Sequence, residues 1–345
     1  LAARYDVGGG VVSGRRVAVV GGGGWGTALA QVTARAGNEV ALWARDPAVV
    51  SAINTARRNP RYLSDLTLDP AVRATADLAA AVTAAEAVLL AVPAQTVRGL
   101  AASLAATGAA PTTVVICAKG LEIGSGKLLS EVLGASLPGW PVAVLSGPSF
   151  AGETAAGVPT AVTVAADSLA RAGDLAACFG TPNFRPYASD DVIGVEVAGA
   201  VKNVIAIAAG IAAGLGFGDN TRAALITRGL AEIARFAVAL GGRAETMMGL
   251  AGVGDMVLTC ASMQSRNTQF GRAVGAGAAV AALRAPPAPV VEGVASAAAV
   301  VARARAAGVD MPIAEAVDAV VNHGADLAAT LERLLARPLR PEDHR

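Results

Sequence analysis

The stretch RVAVVGGGGWGTALAQVTARAG, Arg16–Gly37, places a short apolar run before a glycine-rich turn and a helical pattern. The run Arg16–Val20 has the composition of a buried strand, and the residues after the turn have the period of a helix. Within the turn, Gly21, Gly23 and Gly26 have the spacing GxGxxG. Between a strand and a helix, such glycines permit a tight turn and let backbone amides approach a pyrophosphate at the positive end of the helix. The stretch therefore predicts a dinucleotide-binding βα unit.

Six more apolar runs in the first half of the chain predict strands, at 39–43, 87–92, 113–118, 142–146, 160–166 and 184–188. Several are apolar at every position, as are strands of a sheet that is covered on both faces. Polar turns follow three of them, beginning at Pro93, Lys119 and Gly147. Because open parallel sheets hold their ligands at the carboxyl ends of the strands, these turns are candidates for a binding site.

After about Asp190 the strand pattern stops, and the rest of the chain has a helical period. At 345 residues the chain also exceeds the usual size of one hydrophobic core. We therefore predict an α/β protein in which an N-terminal Rossmann-type doubly wound sheet, residues 15–190, is followed by an all-α C-terminal domain, residues 191–340. The first domain is expected to bind the dinucleotide and the second the substrate, and residues 1–14 are interpreted as a loose tail.

The composition, 54% hydrophobic and 3% aromatic with 40 glycines, is typical of a soluble, alanine-rich α/β protein. A net charge of +1 without a basic stripe argues against nucleic acid as a partner. The uncharged runs are broken by residues such as Gly108 and Pro111, so neither a membrane span nor stable membrane insertion is expected. The three cysteines, Cys117, Cys178 and Cys260, are widely spaced, which favours reduced thiols in the cytoplasm over disulfides or a metal site.

Lysine is scarce in this chain, since only Lys119, Lys127 and Lys202 occur among 28 basic residues. Lys202 is the most unusual of the three because it lies inside the otherwise apolar stretch VEVAGAVKNVIAIAAG. A desolvated ammonium group can lose its proton, whereas a guanidinium effectively never does. Both histidines lie near the C-terminal end, so a general acid or base in the main body is expected to be a lysine.

The end of the second predicted strand, LWARD, bears on the choice of dinucleotide. Enzymes that use NAD often place an acidic residue there to hold the ribose hydroxyls. In this chain Arg45 is suited to a 2′-phosphate, while Asp46 stands one position too late for the ribose role. NADPH is therefore favoured over NADH.

Nine motifs occur in a characteristic order, namely GGGGWGTALA, AVPAQ, CAKGLE, LSGPSFAGE, GVEVAGAVKNVIAIAAG, TRGLAE, GLAGVGDMVLTC, SRN and VVEG. In these motifs the chain resembles the bacterial type of NAD(P)-dependent glycerol-3-phosphate dehydrogenases, and the resemblance extends from Gly21 to Glu292. Two positions where that family usually has leucine are Val201 and Met256 here, and both replacements are conservative.

The resemblance implies that Lys202 donates and accepts the proton, that Lys119 touches cofactor and substrate, and that Asp255 is the third catalytic residue. It implies substrate contacts at Lys119, Gly147, Ser149, Lys202, Asn203, Asp255, Ser265, Arg266 and Asn267. Together with the glycine turn, it implies cofactor contacts at Gly21, Gly23, Gly24, Trp25, Gly26, Arg45, Lys119, Ala151, Arg266, Val290 and Glu292. The substrate pair would be dihydroxyacetone phosphate and sn-glycerol 3-phosphate, used for phospholipid synthesis by a homodimer.

These implied roles agree with the chemistry of the side chains. Hydride transfer to a ketone leaves a developing alkoxide, which an ammonium stabilises and then protonates. Asp255 would hold the ammonium of Lys202 in place, and burial beside a second cation lowers a lysine pKa, by as much as ~3 to 5 units. Arg266 offers a planar fork for a phosphate.

Simpler interpretations of the same residues remain open on the sequence alone. Lys202 would then extend its ammonium to water from an apolar stem, Asp255 would cap a helix, and Arg266 would be a surface charge. Other two-domain dehydrogenases are alternatives as well, but the hydroxyacyl-CoA type needs a catalytic histidine after the nucleotide domain, and neither His323 nor His344 is suitably placed for that role. A 6-phosphogluconate-like enzyme and a non-catalytic NADPH sensor stay as alternatives.

Overall fold

The computed structural model describes residues 14–286 and 290–338. Almost all of the predicted tail, 1–14, lies outside the described residues. The strands are β1 Arg16–Val20, β2 Glu39–Trp43, β3 Val72–Thr75, β4 Ala87–Leu90, β5 Thr113–Ile116, β6 Val142–Ser146, β7 Thr160–Ala166 and β8 Phe184–Ser189. The helices of the first half are α1 Gly24–Arg35, α2 Pro47–Ala56, α3 Leu78–Val82, α4 Val97–Ala106, α5 Leu129–Ser136, α6 Ala151–Ala156 and α7 Leu169–Phe179. Those of the second half are α8 Val192–Gly214, α9 Asp219–Ala239, α10 Asp255–Ala261, α11 Arg266–Gly275, α12 Val280–Arg284, α13 Glu292–Ala306, α14 Pro312–His323 and α15 Leu327–Leu335.

All eight strands form one sheet in the order β3-β2-β1-β4-β5-β6-β7-β8. The strands β1 to β6 run parallel to one another, with β1 between β2 and β4. The chain therefore changes direction across the sheet at β1, and a crevice for a ligand is expected at the carboxyl ends of β1 and β4. The turns at Pro93, Lys119 and Gly147 follow β4, β5 and β6 at this same edge, as the sequence predicts.

The last two strands run in the opposite direction to the other six. Strand β7 is antiparallel to β6, and β8 is parallel to β7. Each of the seven predicted strands is present, and β3 is an additional one.

Both faces of the sheet are covered, which confirms the doubly wound α/β class. Side chains of β1 alternate between two hydrophobic clusters, with Val17 and Val19 in one and Ala18 and Val20 in the other. The second cluster continues into the helical half of the chain and includes most of α8. One continuous core therefore joins the sheet to the helices that follow it.

Helix α8 is the central element of the helical half. It is long and apolar enough to cross a membrane by length and composition, but 83% of its most apolar window is buried inside the protein, as in a core helix. Its glycines let α11 approach closely, since a Cβ at Gly210 would lie 2.3 Å from the carbonyl oxygen of Thr268. In turn, a Cβ at Gly271 of α11 would lie 2.1 Å from the carbonyl oxygen of Ile207. The backbones of α8 and α11 therefore pack in direct contact at these glycines.

Candidate active site

The glycine turn between β1 and α1 has the shape of a phosphate cradle. Gly21 has a φ of 128°, a backbone conformation that favours glycine. A Cβ at Gly26 would lie 1.8 Å from the carbonyl oxygen of Gly21, so the first turn of α1 packs where only glycine fits. Gly23 is the N-cap residue and has no side chain to cover the first amides of α1. These residues fit the pyrophosphate of a dinucleotide.

A buried asparagine holds this cradle from the outside, and the sequence patterns did not reveal it. The side-chain amide of Asn59 donates to the carbonyl oxygen of Gly22 at 3.0 Å and to the hydroxyl of Thr27 at 2.8 Å. Asn59 is 0% exposed. It lies in the irregular segment between α2 and β3, and Tyr62 of this segment lies 3.9 Å from where a Cβ of Gly24 would be. The segment therefore fixes the entrance to α1.

Arg45 and Asp46, the two residues that bear on the choice between NADPH and NADH, differ in the partners of their side chains. Arg45 is exposed and lies two residues after the end of β2, at the binding edge of the sheet. Asp46 caps α2, since its carboxylate accepts from the amide of Ala48 at 2.9 Å, and it pairs with Arg61 at 3.2 Å. With Asp46 occupied in this way, Arg45 is the charged group that is available next to the cradle.

The three proposed catalytic side chains meet in one cluster, although they lie far apart in the chain. Asp255, at the start of α10, binds the ammonium of Lys202 with one carboxylate oxygen and that of Lys119 with the other, both at 2.6 Å. Lys119 also donates to the carbonyl oxygen of Gly147 at 3.2 Å. Lys202 donates to the hydroxyl of Thr259 at 2.8 Å. The side chain of Lys119 is 20% exposed and that of Lys202 only 8%, so the cluster opens to solvent on the Lys119 side.

Burial and charge act on the acid–base properties of this cluster. Burial, together with the neighbouring Lys119, lowers the pKa of Lys202 to about 8 against the opposing effect of Asp255. For Asp255, burial raises the pKa, but the two ammonium groups outweigh burial and hold the pKa below its usual value. At neutral pH the cluster therefore contains an ionised Asp255 and a Lys202 that is close to its own pKa.

Two of the simpler interpretations are wrong. The ammonium of Lys202 does not extend to water, since the residue is buried and two of its three N–H donors bind Asp255 and Thr259. The N-cap of α10 is Gly254, and the carboxylate of Asp255 binds lysines. Arg266 is exposed at the first position of α11, so its role remains a prediction.

A second group of candidate residues lies at the start of α11. The hydroxyl of Ser265 caps this helix by accepting from the amide of Thr268 at 3.2 Å. Asn267 donates to the side-chain oxygen of Asn203 at 2.9 Å and accepts from the amide of Gly293 at 2.9 Å. Asn203 is the neighbour of Lys202 on α8, so this hydrogen-bond chain joins α8, α11 and α13. The positive end of α11 thus lies beside the lysine cluster.

The remaining candidates lie around this centre. Gly147 is buried and has a φ of 145°, and the hydroxyl of Ser149 donates to its carbonyl oxygen at 3.0 Å. Ala151 begins α6 and lies 3.9 Å from where a Cβ of Gly24 would be. The half-buried Trp25 packs against the core beside the cradle. These residues connect the cradle to the turn after β6.

Glu292 and Val290 complete the proposed cofactor contacts. Glu292 is the first residue of α13, and burial raises its pKa while the guanidinium of Arg266 lowers it. Val290 is 59% exposed. The predicted contact of Val290 with the cofactor stays a prediction.

Thr259 belongs to the cluster but was not among the predicted residues. Besides accepting from Lys202, its hydroxyl donates to Asp255 at 3.3 Å, and its carbonyl oxygen accepts from Thr268 at 2.7 Å. A signal for it was present, since Thr259 follows Asp255 by four residues and the two share one face of a helix.

Comparisons with known proteins show which family the chain is similar to. Two family models match, described as NAD-dependent glycerol-3-phosphate dehydrogenase N-terminus at residues 16–172 and C-terminus at residues 191–332. The glycerol-3-phosphate dehydrogenase [NAD(P)+] of Rhodospirillum rubrum is 52% identical over 326 residues, covering 94% of this chain and 93% of its own. That of Methylobacterium radiotolerans is 53% identical over 325 residues, covering 94% and 97%. The crystal structure of glycerol-3-phosphate dehydrogenase from Coxiella burnetii is 38% identical, with a TM-score of 0.88, and the match covers 94% of this chain and 99% of the other.

Proposed function

Because this chain belongs to the NAD-dependent glycerol-3-phosphate dehydrogenase family, we propose that its lysine cluster performs the proton transfer of that reaction. The activity is the NAD(P)H-dependent reduction of dihydroxyacetone phosphate to sn-glycerol 3-phosphate. The observation that carries the assignment of roles is the carboxylate of Asp255, which binds Lys119 and Lys202 at 2.6 Å each. A 6-phosphogluconate-like enzyme and a non-catalytic sensor are not favoured.

The reduced nicotinamide supplies the hydride when it is bound. As negative charge develops on the ketone oxygen of the substrate, the ammonium of Lys202 stabilises it and donates a proton to that oxygen. Lys119 adds a second positive charge that polarises the carbonyl. Asp255 holds both ammonium groups in place, and Thr259 accepts from a second N–H of Lys202, which leaves the third N–H for the substrate oxygen.

The reaction is reversible because Lys202 can act as acid or base near neutrality. Burial brings its pKa to about 8, where the charged and neutral forms are both populated. The ammonium serves the reduction, and the neutral amine accepts the proton of the alcohol in the oxidation. Arginine would not serve both directions, since a guanidinium does not deprotonate.

The phosphate of the substrate is assigned to the start of α11. Arg266 offers a planar fork with several donors, and it is exposed, so it is accessible to an anion. Ser265 and Asn267 lie on either side of it, next to Asn203 and the lysine cluster. The positive end of the helix adds to the attraction. In this arrangement residues 15–190 bind the dinucleotide and residues 191–340 the substrate.

Three further properties are part of the proposal. NADPH is preferred over NADH because Arg45 is available beside the cradle while Asp46 is occupied by α2 and Arg61. The enzyme is a homodimer, which follows the resemblance, and the turn after α8 exposes Leu215 and Phe217, apolar side chains that a partner copy would cover. It is located in the cytoplasm, and its product enters phospholipid synthesis.

The test is the loss of reduced-nicotinamide absorbance with dihydroxyacetone phosphate, using NADPH and NADH in parallel. We expect Lys202→Ala to lose nearly all turnover while it still binds NADPH. The matched control is Lys127→Ala, because Lys127 is the third lysine of the chain and is exposed. It should keep the activity of the parent protein.

Each result has a distinct meaning. Turnover that survives in Lys202→Ala would refute the assigned role of this lysine. If the parent protein bound NADPH but did not reduce the substrate, the assigned reaction would be wrong. A higher kcat/KM with NADH than with NADPH would refute the role given to Arg45, and light scattering that showed a monomer would refute the dimer.

A further inference from the structure

The buried carboxylate of Glu196 is not used in the mechanism above. Glu196 lies on α8, six residues before Lys202, and is 3% exposed. One carboxylate oxygen accepts from the backbone amide of Ser130 at 3.0 Å, and the other from the hydroxyl of Ser130 at 2.5 Å. Burying a carboxylate is costly unless it is well hydrogen-bonded, so this contact requires an explanation.

The partner of Glu196 is the beginning of α5, a helix of the first half of the chain. The N-cap residue of α5 is Leu128, whose side chain has no oxygen to accept from the first amides of the helix. Glu196 supplies an acceptor from a different part of the molecule, and its charge is favourable at the positive end of α5. The contact therefore joins the substrate-binding helices to the dinucleotide-binding half.

The same face of α8 touches the lysine cluster one turn later. A Cβ at Gly199 would lie 3.0 Å from the hydroxyl oxygen of Ser146, at the end of β6, and 3.4 Å from the Cγ of Lys119. The backbone of α8 thus packs against the stem of Lys119. Glu196, Gly199 and Lys202 are spaced three residues apart and share one broad face of the helix.

We propose, on the basis of the function assigned above to Lys202, that Glu196 is a positioning residue for the lysine cluster. By capping α5 it fixes α8 against the sheet, so that Gly199 packs on Lys119 and Lys202 reaches Asp255. Glu196 touches neither substrate nor cofactor in this proposal. It acts through the placement of α8.

The charged groups around Glu196 belong to α5 and α13. Glu131 of α5 accepts from the amide of Leu128 at 2.7 Å and pairs with Arg303 of α13 at 2.9 Å. Burial raises the pKa of Glu196 to about 7, Ser130 and the amide of Leu129 oppose this, and Glu131 adds to it. Because the carboxyl group is partly protonated near neutrality, glutamine is a close replacement for it, whereas alanine removes the cap.

The chain offers a matched control for the experiment in Glu232 of α9. Its carboxylate is also buried and also caps a helix, accepting from the amides of Ile313 at 2.8 Å and Ala314 at 3.3 Å. Burial likewise raises its pKa to about 7. Glu232 and α14 both lie in the helical half, so this cap does not connect α8 to the sheet.

The experiment measures kcat, KM for each substrate and NADPH binding in Glu196→Ala, Glu196→Gln, Glu232→Ala and Lys202→Ala, each corrected for the folded fraction. We expect Glu196→Ala to lower kcat by about 10- to 100-fold, because a misplacement of ~1 Å costs about 100-fold. Its dissociation constant for NADPH should stay within about threefold of the parent value. Glu196→Gln should recover most of the lost kcat, and Glu232→Ala should lower the melting temperature with little change in kcat.

The proposal is overturned if Glu196→Ala keeps its kcat, if it loses NADPH binding and kcat together, or if Glu196→Gln is as impaired as the alanine variant. It is also overturned if Glu232→Ala loses as much kcat, since the effect would then follow from lost stability. If Glu196→Ala fails to fold, Glu196→Gln and Glu196→Asp decide the outcome, because a positioning role requires a lower kcat in the shorter aspartate. Activity that survives in Lys202→Ala would instead refute the function assigned to the cluster.

Discussion

At the scale of single residues, Lys202 shows how burial converts an ordinary cation into an acid–base group. Its ammonium is removed from water on α8 and receives hydrogen-bond acceptors from Asp255 and Thr259. Burial alone would favour the neutral amine, while Asp255 favours the charged form. The balance places the pKa at about 8, and Lys119 contributes by repulsion.

This balance predicts opposite pH profiles for the two directions of the reaction. Reduction requires the ammonium, so its kcat/KM should fall as the pH rises through about 8, and oxidation requires the amine, so its kcat/KM should rise over the same range. Initial rates measured from about pH 6 to about pH 10 give both profiles. Lys202→Arg should be nearly inactive in both directions at every pH, and an arginine variant with substantial activity would contradict the proton-transfer role.

At the scale of secondary-structure elements, the packing of α8 against α11 decides where the substrate phosphate would bind. Ser265 and Arg266 stand at the start of α11, and the glycines along both helices set the distance between the axes. Alanine would be a better helix former than glycine at most such positions. The close approach of the two backbones therefore outweighs helix propensity here.

Two glycine-to-alanine variants test this directly, because the same methyl group is added at a tightly packed position in one and at an open position in the other. A Cβ at Gly271 would meet the carbonyl oxygen of Ile207 at 2.1 Å, whereas one at Gly134, on the exposed side of α5, has no described atom within 4 Å. Gly271→Ala should destabilise the protein by about 2 kcal/mol or more. Gly134→Ala should stabilise it by about 0.5–1 kcal/mol. Chemical denaturation measures both, and a neutral Gly271→Ala would show that α11 moves away without cost.

At the scale of the whole molecule, two buried carboxylates couple folding to pH. Glu196 and Glu232 each have a pKa raised to about 7 by burial, above the usual value of 4.5. A group whose pKa is raised on folding stabilises the protein fully below its unfolded pKa and loses that contribution as the pH rises through the folded value. The affected window is therefore from about 4.5 to about 7.

Glu232→Gln isolates this effect, because glutamine does not titrate. From about pH 8 down to about pH 5, a range that covers most of this window, the parent protein should gain stability relative to the variant by on the order of 2 kcal/mol. Thermal denaturation at both pH values measures the difference. A difference that is independent of pH would show that Glu232 titrates normally in the folded protein.

Much of the fold follows from local patterns in the chain. Strand β1, the glycine turn and α1 are recognisable because apolar strands and a GxGxxG turn depend on near neighbours. Strand β3 was missed because it has only four residues, includes the exposed Arg73, and is stabilised by pairing with β2 at the edge of the sheet. Pairing between distant segments leaves little trace in so short a strand.

The sequence by itself determined the class of fold, the cradle and the unusual status of Lys202, since each rests on residue type and short spacing. Only the tertiary structure decided that one carboxylate, Asp255, serves Lys119 and Lys202 together, and that Asn59 and Thr259 belong to the site. It also decided that Glu196 caps a helix of the other half of the chain. The physical reason is that charge, burial and hydrogen bonding depend on distances between segments far apart in the chain, such as Lys119 and Asp255, which are 136 residues apart, and such distances exist only after the chain has folded.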